Sequence, residues 1–538
     1  MFRQPFRRLG VGATVLLSLV MLACGGDSRK GAPTSGGVAT TPAISTPIAG
    51  MQTPAPGAEA DLNATLRFAF GTNGGSNYDP HTAANPFVNT FLYPAYDSLI
   101  ALTPDGKFEP QLAEAYTFKE GGKVMELKLR RDVVFHDGTP FNAEAVKANL
   151  ERAKNHPRST LKADMTPVEA VDIVDPYTVN LRLTSAAGSL PALLADRMGM
   201  MVSPAALNNP NLDVKPVGAG PYRVVDHQPG KVIVYERFDR YWNPSVQKLR
   251  RIEISMVLDP ATRLRALRSG EIDATALNAD QIREAERANL KVTTDPYAGS
   301  FILYLNTSRS ELKNQKARQA IAMAINRQAI NEAFHAGKCP PTAQVFPTGY
   351  WANNPNVKAD FHKYDPAAAK RLLAEAGLPN GFSFSTVVIN VPFYSSQAEA
   401  VQQQLAEVGI KMEVQTLEPA QLLTRFAIEK SADAYYSTTG GFVDPAKTVA
   451  QLYLPNSTLN PGGYDNPRIS ELAFKGLEPT DQAQRAPFYQ EISRIAAEDV
   501  LHVPICSGMN VTATTAKVQV IRSNLTGAYD LRYAWMAK

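Results

Sequence analysis

The segments "FSFSTVVI" (382–389) and "SSQAEAVQQQLAEVGIKMEVQTL" (395–417) stand almost back to back in the chain. The first is rich in β-branched and aromatic residues and is bounded by turn formers, which reads as a strand. The second begins as a helix, breaks at Gly409 and resumes as an alternating run, which reads as a second strand. A helix between two strands lets those strands run parallel, because a parallel pair needs a crossover connection. The fold class is therefore α/β.

Working outward, the same alternation recurs. "ATLRFAF" (64–70), "KVMELKLR" (123–130), "TVNLRL" (178–183) and "KVIVYERF" (231–238) read as strands. "NAEAVKANLERAK" (142–154) reads as a helix with Asn142 as its cap. "DPATRLRALRSGEIDATAL" (259–277) opens on Asp259-Pro260 and its helix stops at Gly270. "NQKARQAIAMAINRQAINEAF" (314–334) reads as one helix with Ala317, Ile321, Ala324, Ile325 and Ile330 near one face. "DPAAAKRLLAEAGLP" (365–379) carries Asp365 as cap and Gly377 with Pro379 as stop. No repeat period is evident.

Residues 1–23 have a basic start (Arg3, Arg7, Arg8) and an apolar or small run from Val11 to Ala23, which reads as a secretory signal too short to span a bilayer. "MLAC" (21–24) resembles a bacterial lipobox, in which Cys24 is acylated and becomes the new N-terminus. Residues 24–61 are rich in Gly, Pro, Ser, Thr and Ala and contain no aromatic residue, so they read as a flexible tether. The expected location is extracytoplasmic, lipid-anchored to the cell membrane, periplasmic or at the cell surface.

The net charge of the 538 residues is +4; residues 1–61 hold five basic and three acidic side chains, leaving about +2 on the body. That balance argues against a nucleic-acid partner, which needs a basic patch. The seven histidines (His81, His136, His156, His227, His335, His362 and His502) show no HExxH or other close metal-ligand spacing, and neither G-x-S-x-G nor GxxxxGK[ST] occurs. No catalytic residue, metal or cofactor is expected. His136-Asp137 in "VVFHDGTPF" could mimic a dyad, but Asp-Gly is turn chemistry and the segment reads as a strand-end turn. With Cys24 lipidated, Cys339 and Cys506 remain, either bridged or as two buried thiols.

Several ordered landmarks carry a resemblance. They are "NYDPHTA" (77–83), "YDSLIALTPDGKFEPQLAEAY" (96–116), "LKLRRDVVFHDGTPFNAEAV" (127–146), "VGAGPYRV" (217–224), "DRYWNP" (239–244), "LRSGEIDA" (267–274) and "ARQAIAMAINRQAI" (317–330). Together they resemble family 5 of the bacterial extracellular solute-binding proteins, the binding lipoproteins of oligopeptide, dipeptide and nickel ABC importers. The resemblance implies a two-lobed periplasmic-binding-protein-like fold with an extra domain inserted in lobe I. Mapped here, lobe I takes 62–108, 214–297 and 515–538, the insertion 109–213 and lobe II 298–514. It also implies a ligand closed between the lobes and docking of the closed, monomeric protein on an ABC permease/ATPase complex.

Crossover strands and lobe II loops are where such a fold contacts ligand. The expected set is Tyr297, Phe301 and Tyr304 in "DPYAGSFILYLN" (295–306), Tyr350 and Trp351 in "FPTGYWANN" (346–354), and Tyr436, Ser437, Thr438, Thr439, Gly440, Gly441 and Phe442 in "YYSTTGGFVDPAK" (435–447). In peptide-binding relatives the last loop carries an aspartate four residues before its proline, which pairs with the peptide ammonium. Here that position is Gly441, and the relatives' tryptophan position is Thr438. Nickel-chelate binders carry a histidine near this site, where this chain has Ala446. Asp444 directly precedes Pro445 and reads as a helix cap. The expected ligand is a peptide by resemblance, or a neutral polar solute such as a sugar or blocked peptide, since a buried ammonium without a carboxylate is costly. A ligand-sensing receptor on the same fold and a lipid-tethered hydrolase are the alternatives.

Overall fold

The strand, helix, strand reading of 382–417 holds. Ser383–Ile389 pairs in parallel with Lys411–Leu417, from Ser383 opposite Lys411 to Ile389 opposite Leu417. The helix Pro392–Ala406 crosses between them. The computed structural model describes residues 58–71, 77–83 and 86–538. The expected signal segment 1–23, Cys24 and most of the 24–61 tether lie outside the described residues. Among the described residues no helix is long and apolar enough to cross a membrane.

One ten-stranded sheet organises the body. From edge to edge it runs Lys411–Leu417, Ser383–Ile389, Ala434–Thr438, Lys291–Leu305, His502–Thr514, Ala274–Leu277, Thr65–Phe70, Arg251–Met256, Val232–Arg237 and Tyr222–Gln228. The two central strands are the longest, at 15 and 13 residues, and belong to both halves. The 511–514 end of the second pairs with Ala274–Leu277. The 301–305 end of the first pairs with Ala434–Thr438. Their mutual register breaks between Pro296 and Ser300, where the chain passes from one half to the other.

Strand alternation distributes side chains to separate cores. In the second half, Leu303 and Leu305 pack with Tyr436 on one face, while Ile302 and Tyr304 pack with Phe426 on the other. In the first half, Leu66, Phe68 and Ile254 build a core with Tyr529 and Leu531. A separate four-stranded sheet (Ala113–Lys119, Val124–Leu129, Thr178–Leu183, Val168–Asp175) covers its own core of Leu127, Val146, Leu150 and Leu181.

Side-chain caps set the starts of several helices. Asn142, Asp259, Asp365 and Asp444 each accept a backbone N–H from the first turn of the helix that follows. Gly270 and Gly377 take positive φ at the stops. The segment 314–334 departs from the single expected helix, forming Gln315–Ala324 and Arg327–His335. Ile325 is extended, and Asn326 caps the second helix while its own N–H donates to Gln404 Oε1 at 2.7 Å. Two tertiary bonds of Arg327, to Ala322 O at 3.0 Å and Pro504 O at 2.8 Å, hold the break. Apolar periodicity runs through that break because both helices face the same core.

Candidate functional site

The register break in the crossover strands has a side-chain consequence. Tyr297 sits in the break, and its ring lies against two glycine backbones. A Cβ at Gly299 would stand 2.3 Å from that ring, and one at Gly508 would stand 2.2 Å from it. Two glycines therefore make the bed on which Tyr297 lies flat. Four residues on, Phe301 packs its ring 4.6 Å from that of His335 and 5.9 Å from that of Phe393. These rings form one wall of a cavity of about 600 Å³, in the range that holds a small organic solute.

Both halves of the body line this cavity. Phe70, Arg263, Asn278 and Tyr529 come from the first half, and His335, Lys338, Phe393, Tyr394 and Thr438 from the second; Tyr297, Met509 and Asn510 are on the crossovers. Its charged lining is one-sided. Arg263 and Lys338 are cationic, and no Asp or Glu lines the cavity among the described residues. Arg263 is only 3% exposed. It donates to the carbonyls of Val257, Leu258 and Ala276 at 2.8–3.2 Å, all neutral acceptors. Burial lowers the Arg263 pKa, with Tyr529 and Asp259 opposing. Asn510 Nδ2 is buried without a hydrogen-bond partner among the described residues. The polar part of the cavity is thus rich in donors and cations.

Of the twelve expected contact residues, Tyr297, Phe301 and Thr438 line the cavity. Burial pushes the Tyr297 and Tyr394 phenols up, and the Thr438 hydroxyl eases both. The other nine lie outside the lining. Tyr304 alternates to the opposite face and stacks on Tyr435 at 5.5 Å. Tyr436 is fully buried beneath the cavity wall, its hydroxyl donating to Gln397 Oε1 at 3.2 Å. Ser437 pairs along the strand with Ile302. Thr439 ties the loop to the crossover, its Oγ1 accepting from Ser300 N at 2.8 Å. Tyr350 is buried and donates to Val443 O at 3.1 Å. Trp351 meets the Tyr489 ring edge-on at 5.6 Å and has Arg485 5.3 Å from its ring. Gly440 lies beside Phe442, whose ring is 5.7 Å from Lys447 Nζ.

Gly441 has its own explanation. A Cβ there would stand 2.5 Å from the carbonyl oxygen of Leu525. The position abuts the backbone of 525–526, so no carboxylate fits. The acid of this loop is Asp444, and it points away from the cavity. It caps the helix Pro445–Leu452 through Ala446 N and makes a two-pronged pair with Arg485, at 2.6 Å and 2.9 Å. Arg485 also donates to Gly476 O and to Gly188 O at the edge of the separate four-stranded region. His136-Asp137 is a turn: His136 Nε2 meets Gly220 O at 2.9 Å, while Asp137 accepts from Ser203 Oγ and Thr139 N.

One histidine stands close to both remaining cysteines. Helix Arg327–His335 ends with Ala336 and Gly337 both at positive φ, which turns the chain back. Cys339, four residues after His335, is then bridged to Cys506, 167 residues away. The "HAGKC" spacing (335–339) was a usable signal; the pairing with Cys506 was not.

Comparison with known proteins fits this architecture. Residues 107–460 match the bacterial extracellular solute-binding proteins, family 5 Middle. The chain is 30% identical over 480 residues to the glutathione-binding protein GsiB of Escherichia coli strain K12, covering 84% of this chain and 90% of that one. Two solved structures superpose well. The periplasmic binding protein DppA of Helicobacter pylori, in complex with the peptide STSA, has 23% identity, covers 89% of this chain and 99% of its own, and gives a TM-score of 0.72. The binding protein AgaA of A. tumefaciens R10, in complex with agropinic acid, has 26% identity, covers 85% of this chain and 94% of its own, and gives a TM-score of 0.67.

Proposed function

Because the chain belongs to family 5 of the bacterial extracellular solute-binding proteins, serving as the substrate-binding protein of an ABC importer, we propose that its cavity captures a small carboxylate-bearing, peptide-like solute without a free ammonium. One observation carries this reading. Arg263 presents a buried guanidinium to a cavity whose described lining contains no Asp or Glu. A carboxylate entering there gains charge-assisted hydrogen bonds, while an ammonium meets Arg263 and Lys338 with no carboxylate in the described lining to pair with it. Asn510 Nδ2 adds a donor. The sequence-based expectation of a ligand without an ammonium is kept, but its neutrality is given up. Glutathione, named for the GsiB relatives, and agropinic acid, named for AgaA, both carry carboxylates, which supports that half of the reading; glutathione also carries a free ammonium, so the absence of an ammonium rests on the lining of this cavity alone.

Capture follows differential affinity. Residues 62–108, 214–297 and 515–538 move with the insertion 109–213 as one lobe, and 298–514 as the other, about the break at Pro296–Ser300. A solute that touches Arg263 on one side and Thr438 or Tyr394 on the other stabilises the closed arrangement because the open one loses half of these contacts. The closed monomer then docks on the permease. Cys24 holds it to the membrane by lipid, and no bond in the solute is broken.

The test has two stages. Solutes released from the purified, denatured protein are identified by mass spectrometry. N-acetylated dipeptides are then titrated as free acids and as C-terminal amides. The acids are expected to bind at least about tenfold more tightly, and Arg263→Met to erase most of that difference. Equal binding of acid and amide, or tight binding of free-amine tripeptides, overturns the reading.

A further inference from the structure

In the cavity wall, a ring nitrogen of His335 and the sulfurs of Cys339 and Cys506 lie within 4.8 Å of one another, and all three residues are buried. His335 and Cys339 line the cavity, while Cys506 stands behind them on the crossover strand opposite Phe301. The imidazole is held in one orientation by a chain of bonds. Gln397 Nε2 donates to Phe393 O at 2.9 Å, which leaves its Oε1 as the acceptor facing His335. Oε1 takes a bond from His335 Nε2 at 2.9 Å and another from the Tyr436 hydroxyl at 3.2 Å. Nε2 therefore carries the proton, and Nδ1 keeps its lone pair. Such an outer partner is what orients a metal-binding histidine. Cys339 N donates to Asn331 Oδ1 at 2.8 Å, fixing the turn that carries the sulfur. Cys339 Sγ lies 2.9 Å from the carbonyl oxygen of Ser507, a ready acceptor for an S–H.

We propose that the Cys339–Cys506 bridge is the oxidised cover of a site for a thiophilic cation, with Zn²⁺ as its simplest occupant, built from these two cysteines and His335 and opened by a dithiol reductant. The dithiol transfers two electrons to the bridge, the S–S bond breaks, and each sulfur takes up a proton while the reductant closes its own disulfide. Zn²⁺ then displaces both thiol protons and binds two thiolates and the imidazole. Zn–S bonds of about 2.3 Å in a tetrahedral arrangement require the sulfurs to part to about 3.8 Å. Three protein ligands leave the fourth position for water or a donor atom of a bound solute, facing the cavity. Two thiolates and an imidazole favour Zn²⁺ over hard cations such as Mg²⁺ or Ca²⁺. This site goes beyond the capture reading and does not depend on it.

The experiment uses the purified protein in three states: oxidised, reduced by a phosphine, and reduced then alkylated. Zn²⁺ binding is read by competition with a chromogenic chelator, and Co²⁺ substitution is read by the sulfur-to-metal charge-transfer absorption. The expected result is one Zn²⁺ per reduced chain with a thiolate–Co²⁺ band, and none on the oxidised or alkylated protein. His335→Ala leaves the bridge intact and is expected to weaken zinc about 100-fold after reduction, and Gln397→Leu about tenfold. Equal zinc affinity in the reduced wild type and His335→Ala, or no zinc on the reduced wild type, overturns the proposal, as does equal binding to the oxidised protein.

Discussion

Asp444→Ala tests what the acid of the 435–447 loop does. Arg485 is completely buried, and Asp444 supplies its counter-charge through two hydrogen bonds of 2.6 Å and 2.9 Å. Without Asp444 the guanidinium keeps, among the described residues, neutral partners: the carbonyls of Gly476 and Gly188, the Tyr489 hydroxyl and the rings of Trp351 and Tyr489. Leaving one member of a buried pair unpaired costs about 3–5 kcal/mol. Loss of the cap on Ala446 N adds about 1 kcal/mol. The expected loss is therefore about 4–6 kcal/mol in the first unfolding transition. The assay is guanidinium chloride unfolding followed by circular dichroism and tryptophan fluorescence, with ligand titration of the folded variant alongside. Because Asp444 is outside the cavity, affinity is expected to stay within about twofold of wild type. The double variant Asp444→Ala, Arg485→Met removes the stranded charge and is expected to recover about 1–2 kcal/mol. A stability loss below about 1 kcal/mol together with a large loss of affinity would refute the reasoning, because Asp444 would then be a ligand contact.

Three further predictions follow from the same geometry. Gly508→Ala places a Cβ 2.2 Å from the Tyr297 ring and displaces it, so affinity for the best-binding acetylated acid is expected to fall about tenfold with the circular dichroism spectrum unchanged; unchanged affinity shows that Tyr297 does not contact the solute. Burial raises the Asp295 carboxyl to about 6, with Ser523 opposing, so the folded state holds this proton more tightly than the unfolded chain and stability falls as pH rises from about 4 to 6. Asp295→Asn is expected to stabilise the protein by about 1–2 kcal/mol near pH 7.5 and to have no such effect near pH 4, and equal effects at the two pH values contradict it. His81 and His502 are held down at about 4 by burial, so their contribution is full above about 6.5 and is lost as pH falls towards 4; with the opposing Asp295 carboxyl removed by Asp295→Asn, a urea midpoint that stays flat between about pH 6.5 and 5 rules this out.

Much of the fold was legible because its signals are local. The caps at Asn142, Asp259, Asp365 and Asp444 act within three residues, and the sequence shows them directly. The site was less legible. Tyr297, Phe301 and Tyr304 all stand on one crossover strand, yet the first two line the cavity and the third is in a core on the other face. Alternation alone separates them, because Tyr297 and Phe301 are four residues apart while Tyr304 is three beyond Phe301, so this part of the split could have been read from the spacing. Arg263 reads in sequence as one arginine of an ordinary helix; only its burial beside the cavity singles it out.

The sequence by itself determined the α/β class, the strand, helix, strand order of 382–417, the cap-defined helix starts and the family, because each rests on periodicity, on turn chemistry or on landmarks read in line. Tertiary structure alone decided three things: that Cys339 meets Cys506 across 167 residues, that Gly441 is closed to any side chain by the backbone of Leu525, and that the described lining of the cavity holds cations and no acid. These depend on which distant segments are brought within a few ångströms, and loop closure across such separations leaves no local trace in the residues that meet.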